Sequence, residues 1–99
     1  MAYRIVASKM FERSLAGTVR WIKKEWSDRA AESFNKKILA AIEKITFYPT
    51  SGRKSAGYKN VRSVLISKHN RMYYRISGKT ITLLELFETK QDPQKNKYE

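Results

Sequence analysis

Residues 61–87, VRSVLISKHNRMYYRISGKTITLLELF, decide how this chain folds. Three short runs rich in Val, Ile, Leu, Tyr and Thr, at 61–66, 71–76 and 80–87, are separated by turn-forming residues. Ser67-Lys68-His69-Asn70 lies between the first two runs, and Ser77-Gly78-Lys79 between the last two. Connections this short permit only antiparallel hairpins. The runs therefore predict a three-stranded meander with one side needing cover.

The cover is encoded upstream. Residues 9–26 carry Phe11, Leu15, Val19, Ile22 and Trp26 at spacings of 4, 4, 3 and 4, a single helical stripe. Gly17 is its weak point, costing about 1 kcal/mol against alanine. Residues 29–45 repeat the pattern with Ala31, Phe34, Ile38, Ala41, Ile42 and Ile45. Ser8 and Ser27 stand where N-caps belong, and Asp28 suits the positive end of a helix dipole. So short a break between two helices makes a helical hairpin. Pro49 stops the second helix, and Thr50-Ser51-Gly52 turns the chain. Residues 53–60 read as a basic loop, and residues 3–7 as a first strand. The order is strand, helix, helix, strand, strand, strand. It predicts a two-layer α+β domain with the helical hairpin on one face of an antiparallel sheet. The 99 residues suffice for that single domain, with 88–99 as a polar tail expected to fray.

Composition narrows the function. Lys and Arg number 21 against nine Asp and Glu, a net charge of +12. No acidic residue occurs between Glu43 and Glu85. Such a field attracts a polyanion or an acidic protein, although a solvated basic surface has the same composition. The absence of cysteine excludes disulfides and thiolate metal sites. With one histidine, a His/Cys zinc centre cannot be built. No metal and no cofactor is expected. No apolar run approaches the roughly 18 residues of a membrane span. Met1-Ala2-Tyr3-Arg4-Ile5 lacks a signal-peptide core. A cytoplasmic protein without membrane contact is the expectation.

Alternation assigns the strand faces. Met72, Tyr74 and Ile76 turn to the helices, and Arg71, Tyr73 and Arg75 turn away. Placing arginines outward adds Arg62 and sets Val61, Ser63 and Leu65 on the opposite side. With Arg53, Lys54 and Lys59 of the loop, these form a candidate surface for nucleic acid or another target. Arginine forks bind phosphate and a tyrosine ring stacks a base. An ordinary solvated strand face has the same residues. On the last strand, an unpaired Glu85 in the core would cost several kcal/mol. Outward placement of Glu85 carries Ile81, Leu83 and Phe87 with it and leaves Leu84 and Leu86 in the core. A strand apolar on both faces is either central or covered by something else, and a partner chain over Leu83 and Phe87 is one such cover. Arg62, Arg71, Arg75, Leu83 and Phe87 are the expected footprint of an acidic, amphipathic protein. His69, in a predicted turn, is read as exposed, with a general base as its functional alternative.

Several patterns, in order, resemble one family. They are residues 30–34, then Ile45-Thr46-Phe47-Tyr48-Pro49-Thr50-Ser51-Gly52-Arg53, then Asn70-Arg71-Met72-Tyr73-Tyr74-Arg75-Ile76, then Leu86-Phe87-Glu88-Thr89-Lys90-Gln91-Asp92-Pro93. The chain resembles the RelE/ParE superfamily of toxins from bacterial type II toxin–antitoxin, or plasmid stabilisation, systems. The resemblance implies the same two-layer fold, growth inhibition and a neutralising antitoxin. It also implies one of two targets. ParE-like members poison DNA gyrase, and RelE-like members cut mRNA on the ribosome as metal-independent endoribonucleases. By resemblance, Arg62, Arg71 and Lys90 match basic positions of the RelE-like catalytic site. Val64 replaces a lysine of that group, Glu88 stands where many members have histidine or glycine, and Tyr98 only approximates a late catalytic tyrosine. These departures favour a ParE-like gyrase poison. The alternatives are the ribosome-dependent ribonuclease and a non-toxic basic nucleic-acid-binding module.

Overall fold

A computed structural model describes residues 2–89 and 96–98. The chain begins with strand β1 (Arg4–Ala7), followed by helices α1 (Lys9–Glu25) and α2 (Asp28–Phe47). A 3₁₀ turn (Pro49–Ser51) leads to the two-residue strand β2 (Arg53–Lys54). Strands β3 (Val61–Ser67), β4 (Asn70–Ser77) and β5 (Thr80–Glu88) complete it. The sheet order is β1-β5-β4-β3-β2. The β3–β4–β5 meander is antiparallel, as the short connections require, while β1 joins β5 in parallel. The sheet is therefore mixed, and the segment read as a basic loop contributes an edge strand.

Both serine caps form. The Ser8 hydroxyl accepts the Phe11 N–H at 3.0 Å and donates to the Leu84 carbonyl at 2.9 Å, so one residue starts α1 and ties it to β5. Ser27 accepts the Ala30 N–H at 3.0 Å and starts α2. Phe11, Ala31, Phe34, Ile38 and Ile45 are buried, with Leu15, Val19, Ile22, Ala41 and Ile42 packed beside them. Trp26 falls outside the stripe because α1 ends at Glu25, and it stays 73% exposed.

Two strand assignments differ from simple alternation. On β5 the pairing runs Tyr74 with Leu83 but Tyr73 with Glu85, so Leu84 is an extra residue. Such a bulge inverts the side-chain parity along a strand. Ile81 and Leu83 consequently lie under the helices, with Leu86, while Glu85 and Phe87 face away. Leu84 packs against the opposite cluster and not in the helix-facing core. The expected exposed Leu83 is instead 2% exposed in that core. On β3, Val61, Ser63 and Leu65 pair with Arg75, Tyr73 and Arg71, and so share the open face. Arg62 pairs with Tyr74 and lies on the helix side, contrary to the outward placement.

Candidate functional site

The open face is built on one row across the sheet, Arg53, Ser63, Tyr73 and Glu85. Ser63 and Tyr73 are almost wholly buried there. The reason is the end of the chain. Tyr98 lies flat on Tyr73, with ring centroids 4.3 Å apart and planes inclined by 20°. Its hydroxyl donates to Glu85 Oε1 at 3.0 Å. Asn96 donates from Nδ2 to the Tyr73 hydroxyl at 3.0 Å and accepts the Tyr98 N–H at 3.1 Å. The Tyr98 carbonyl accepts the Ser55 hydroxyl and the Gly57 N–H, the latter at 3.2 Å. Phe87 meets Tyr73 edge-on at 6.4 Å, and Val61 closes the cluster. The tail expected to fray is thus docked at residues 96–98. Tyr73, expected to stack a base, already stacks a ring of its own chain.

The electrostatics follow from this burial. Glu85 is satisfied by a neutral hydroxyl, so its outward placement needs no arginine beside it. Burial, together with the charge of Glu85, raises the pKa of Tyr98 well above that of free tyrosine. A phenol that holds its proton so tightly is a poor base near neutral pH. Arg71 is half-buried, and its Nη1 donates to the Ser63 hydroxyl at 2.9 Å. In the sheet register Arg71 stands opposite Leu65 on β3 and Phe87 on β5. Arg75 is exposed four residues further along β4.

The remaining candidates separate. Arg62 braces a turn: its Nη1 donates to the carbonyls of Gly52 at 2.9 Å and Thr50 at 3.2 Å. The Tyr74 hydroxyl holds the same turn, donating to the Pro49 carbonyl at 2.6 Å and accepting the Gly52 N–H at 3.2 Å. Burial raises the Tyr74 pKa, and the Gly52 N–H and Arg62 oppose that rise. Arg53 and Lys54 lie on edge strand β2, and Lys59 is exposed after it. Leu83 is withdrawn beneath the helices, and Phe87 is buried on the open face by the chain itself. Lys90 lies outside the described residues. His69 is half-buried in the β3–β4 turn, its carbonyl accepting the Thr89 N–H at 2.8 Å. Among the described residues no cluster of His, Asp or Glu is arranged to hold a metal ion. None of their helices is long and apolar enough to cross a membrane.

The residues that sequence reasoning missed are Asn96 and the Tyr98–Glu85 pair. The signal was there in outline: a single aromatic within a polar tail, and a lone carboxylate among apolar strand residues.

Comparison with known proteins adds the relationship. Residues 5–93 match the family model described as the ParE toxin of the type II toxin–antitoxin system parDE. The fold is similar to that in the chromosomal ParDE system of P. aeruginosa, with a TM-score of 0.75 and 12% identity, covering 90% of this chain and 98% of that one. It is also similar to the archaeal RelE–RelB complex of Pyrococcus horikoshii, with a TM-score of 0.66, 15% identity and coverage of 93% and 100%. For the E. coli DinJ–YafQ toxin–antitoxin complex the TM-score is 0.63 at 12% identity, with coverage of 89% and 93%. Comparison with curated protein sequences finds no significant match.

Proposed function

Because this chain belongs to the ParE toxin family of type II toxin–antitoxin systems, we propose that it arrests growth by binding and poisoning DNA gyrase and not by cleaving mRNA. The observation that carries this reading is the sealed centre of the open face. Transesterification of RNA needs a group that takes a proton near neutral pH and cations placed beside it. Here the centre is a stacked tyrosine pair, and the hydroxyl of Tyr98 is already committed to Glu85. Arg62, which the resemblance assigned to a cleavage site, serves the Pro49–Gly52 turn on the other side of the sheet. A protein-directed poison has no such requirement; it needs a stable surface carrying positive charge. The surroundings of that face supply it in Arg71, Arg75 and Lys97.

The test is induced expression in bacteria with SOS induction and translation scored separately. SOS induction with accumulation of cleaved gyrase–DNA complexes is expected, and translation continues in the first minutes. Tyr98→Phe keeps the stacked ring and removes the hydroxyl, and it is expected to remain toxic. Site-specific mRNA cuts on ribosomes, lost in Tyr98→Phe, would overturn the proposal in favour of the ribonuclease.

A further inference from the structure

The outer edge of β3 is only half paired. β2 covers Arg62 and Ser63, and the Ser55 N–H reaches the Val61 carbonyl at 2.9 Å. In an antiparallel ladder alternate residues present both main-chain groups to the same edge. Val61, Ser63 and therefore Leu65 point theirs outward here. The chain preceding Arg53 leaves the sheet through the Pro49–Ser51 turn, so β2 cannot continue past Ser63. Among the described residues, no strand pairs with 64–66 on that side. A groove of about 580 Å³ opens at this point between the free edge and α2. Ala40 and Ala41 keep it wide on the helix side, and Leu65, 57% exposed, forms its lip. Lys37, Lys44, Arg53 and Arg71 also line it, and no carboxylate does.

These features select one kind of occupant. A phosphate backbone uses donors only and would leave the Leu65 carbonyl and the apolar lip without partners. An extended peptide satisfies both main-chain groups, as strands added to a sheet edge do. Lys37 and Lys44, on the helix side of the groove, select an acidic one.

We propose that the antitoxin docks an acidic, extended segment in this groove, adding a strand to the free half of β3 with its carboxylates against Lys37 and Lys44. This rests on the chain being the toxin of such a pair. It moves the partner's footprint away from Leu83 and Phe87, which the chain buries for itself.

The experiment uses the full-length toxin and the purified acidic protein encoded beside it. Amide hydrogen exchange is followed at Leu65 in the free and bound toxin. Affinity is measured for the wild type, Leu65→Pro, Lys37→Glu/Lys44→Glu and the distant control Lys23→Glu. Leu65→Pro removes an unpaired edge N–H and so leaves the fold intact, which the melting curve checks. The Leu65 amide is expected to become protected on binding. Leu65→Pro and the double reversal are each expected to lower affinity about tenfold or more, and the control less than about threefold. An antitoxin that binds tightly but leaves the Leu65 amide exchanging as before, and tolerates both variants, overturns the docking site while the toxin reading stands. A neighbouring protein that does not bind the wild type at all overturns both. Protection of Leu65 by an RNA or DNA oligonucleotide in place of the protein also overturns the proposal.

Discussion

Tyr98 is where a side chain from the polar tail becomes part of the molecule. Ring stacking contributes about 0.5–1.5 kcal/mol beyond the area it buries, and the Glu85 hydrogen bond adds to it. Tyr98→Ala is expected to destabilise by roughly 2–3 kcal/mol and to expose Tyr73 to solvent, read as loss of its near-ultraviolet circular dichroism. A gentler lesion separates docking from folding. A β-carbon on Gly57 would stand 2.6 Å from the Lys97 carbonyl and 3.2 Å from the Tyr98 main chain, so its nearest contacts are all with the tail. Gly57→Ala should release residues 96–98 and leave the helix-facing core intact. Proteolysis at the C-terminus, accelerated without a fall in the main melting transition beyond about 1 kcal/mol, is the measurement. The tail also sets an alkaline limit. Because the folded pKa of Tyr98 lies above its unfolded value of 10.0, the folded state binds the proton more tightly. Docking is therefore fully stable below about pH 10 and is lost as pH rises beyond it, since only the released tyrosine ionises readily. Tyrosinate absorbance rising together with Tyr73 exposure above pH 10 is the expected titration, and Tyr98→Phe should remove the pH dependence of tail release.

At the scale of elements, the helices were legible and the strand faces only partly so. Period and capping act locally, so Ser8, Ser27, Pro49 and the two apolar stripes could be read directly. A bulge is not local: the extra residue at Leu84 arises because Tyr73 must meet Glu85 while Tyr74 meets Leu83, and alternation along β5 has no mark of it. Arg62 was misplaced for a related reason. The sequence shows a cation in a strand, but not that the Gly52 and Thr50 carbonyls wait for it on the helix side. The parallel pairing of β1 with β5 depends on a crossover through both helices, which hairpin spacing does not address. Glu85 was rightly kept out of the core by its desolvation cost, while the tyrosine that satisfies it lies 13 residues further along the chain. The bulge makes a sharp prediction. Leu83→Ala should cost about 2–5 kcal/mol, as for a fully buried leucine, and Leu84→Ala distinctly less. Denaturant midpoints for the two variants decide it; strict alternation demands the reverse order.

For the whole molecule the governing quantity is a charge of +12 on 99 residues. A field of one sign accelerates encounter with an oppositely charged partner more than it strengthens the final complex. Salt should therefore act chiefly on the association rate. Raising ionic strength from about 0.05 to 0.15 M shortens the Debye length from roughly 14 to 8 Å. The rate of binding to an acidic antitoxin is expected to fall by about tenfold over that range, with the dissociation rate changing less than about threefold. The contacts in the β3 groove combine main-chain pairing with two lysines, and main-chain hydrogen bonds are far less sensitive to salt than exposed charges. A binding mode made of surface charges alone would behave differently, losing affinity through faster dissociation as well. Stopped-flow association and dissociation across the salt series distinguishes the two. Equal salt slopes in both rates would mean that the antitoxin is held by the basic field alone, with no strand added to the sheet.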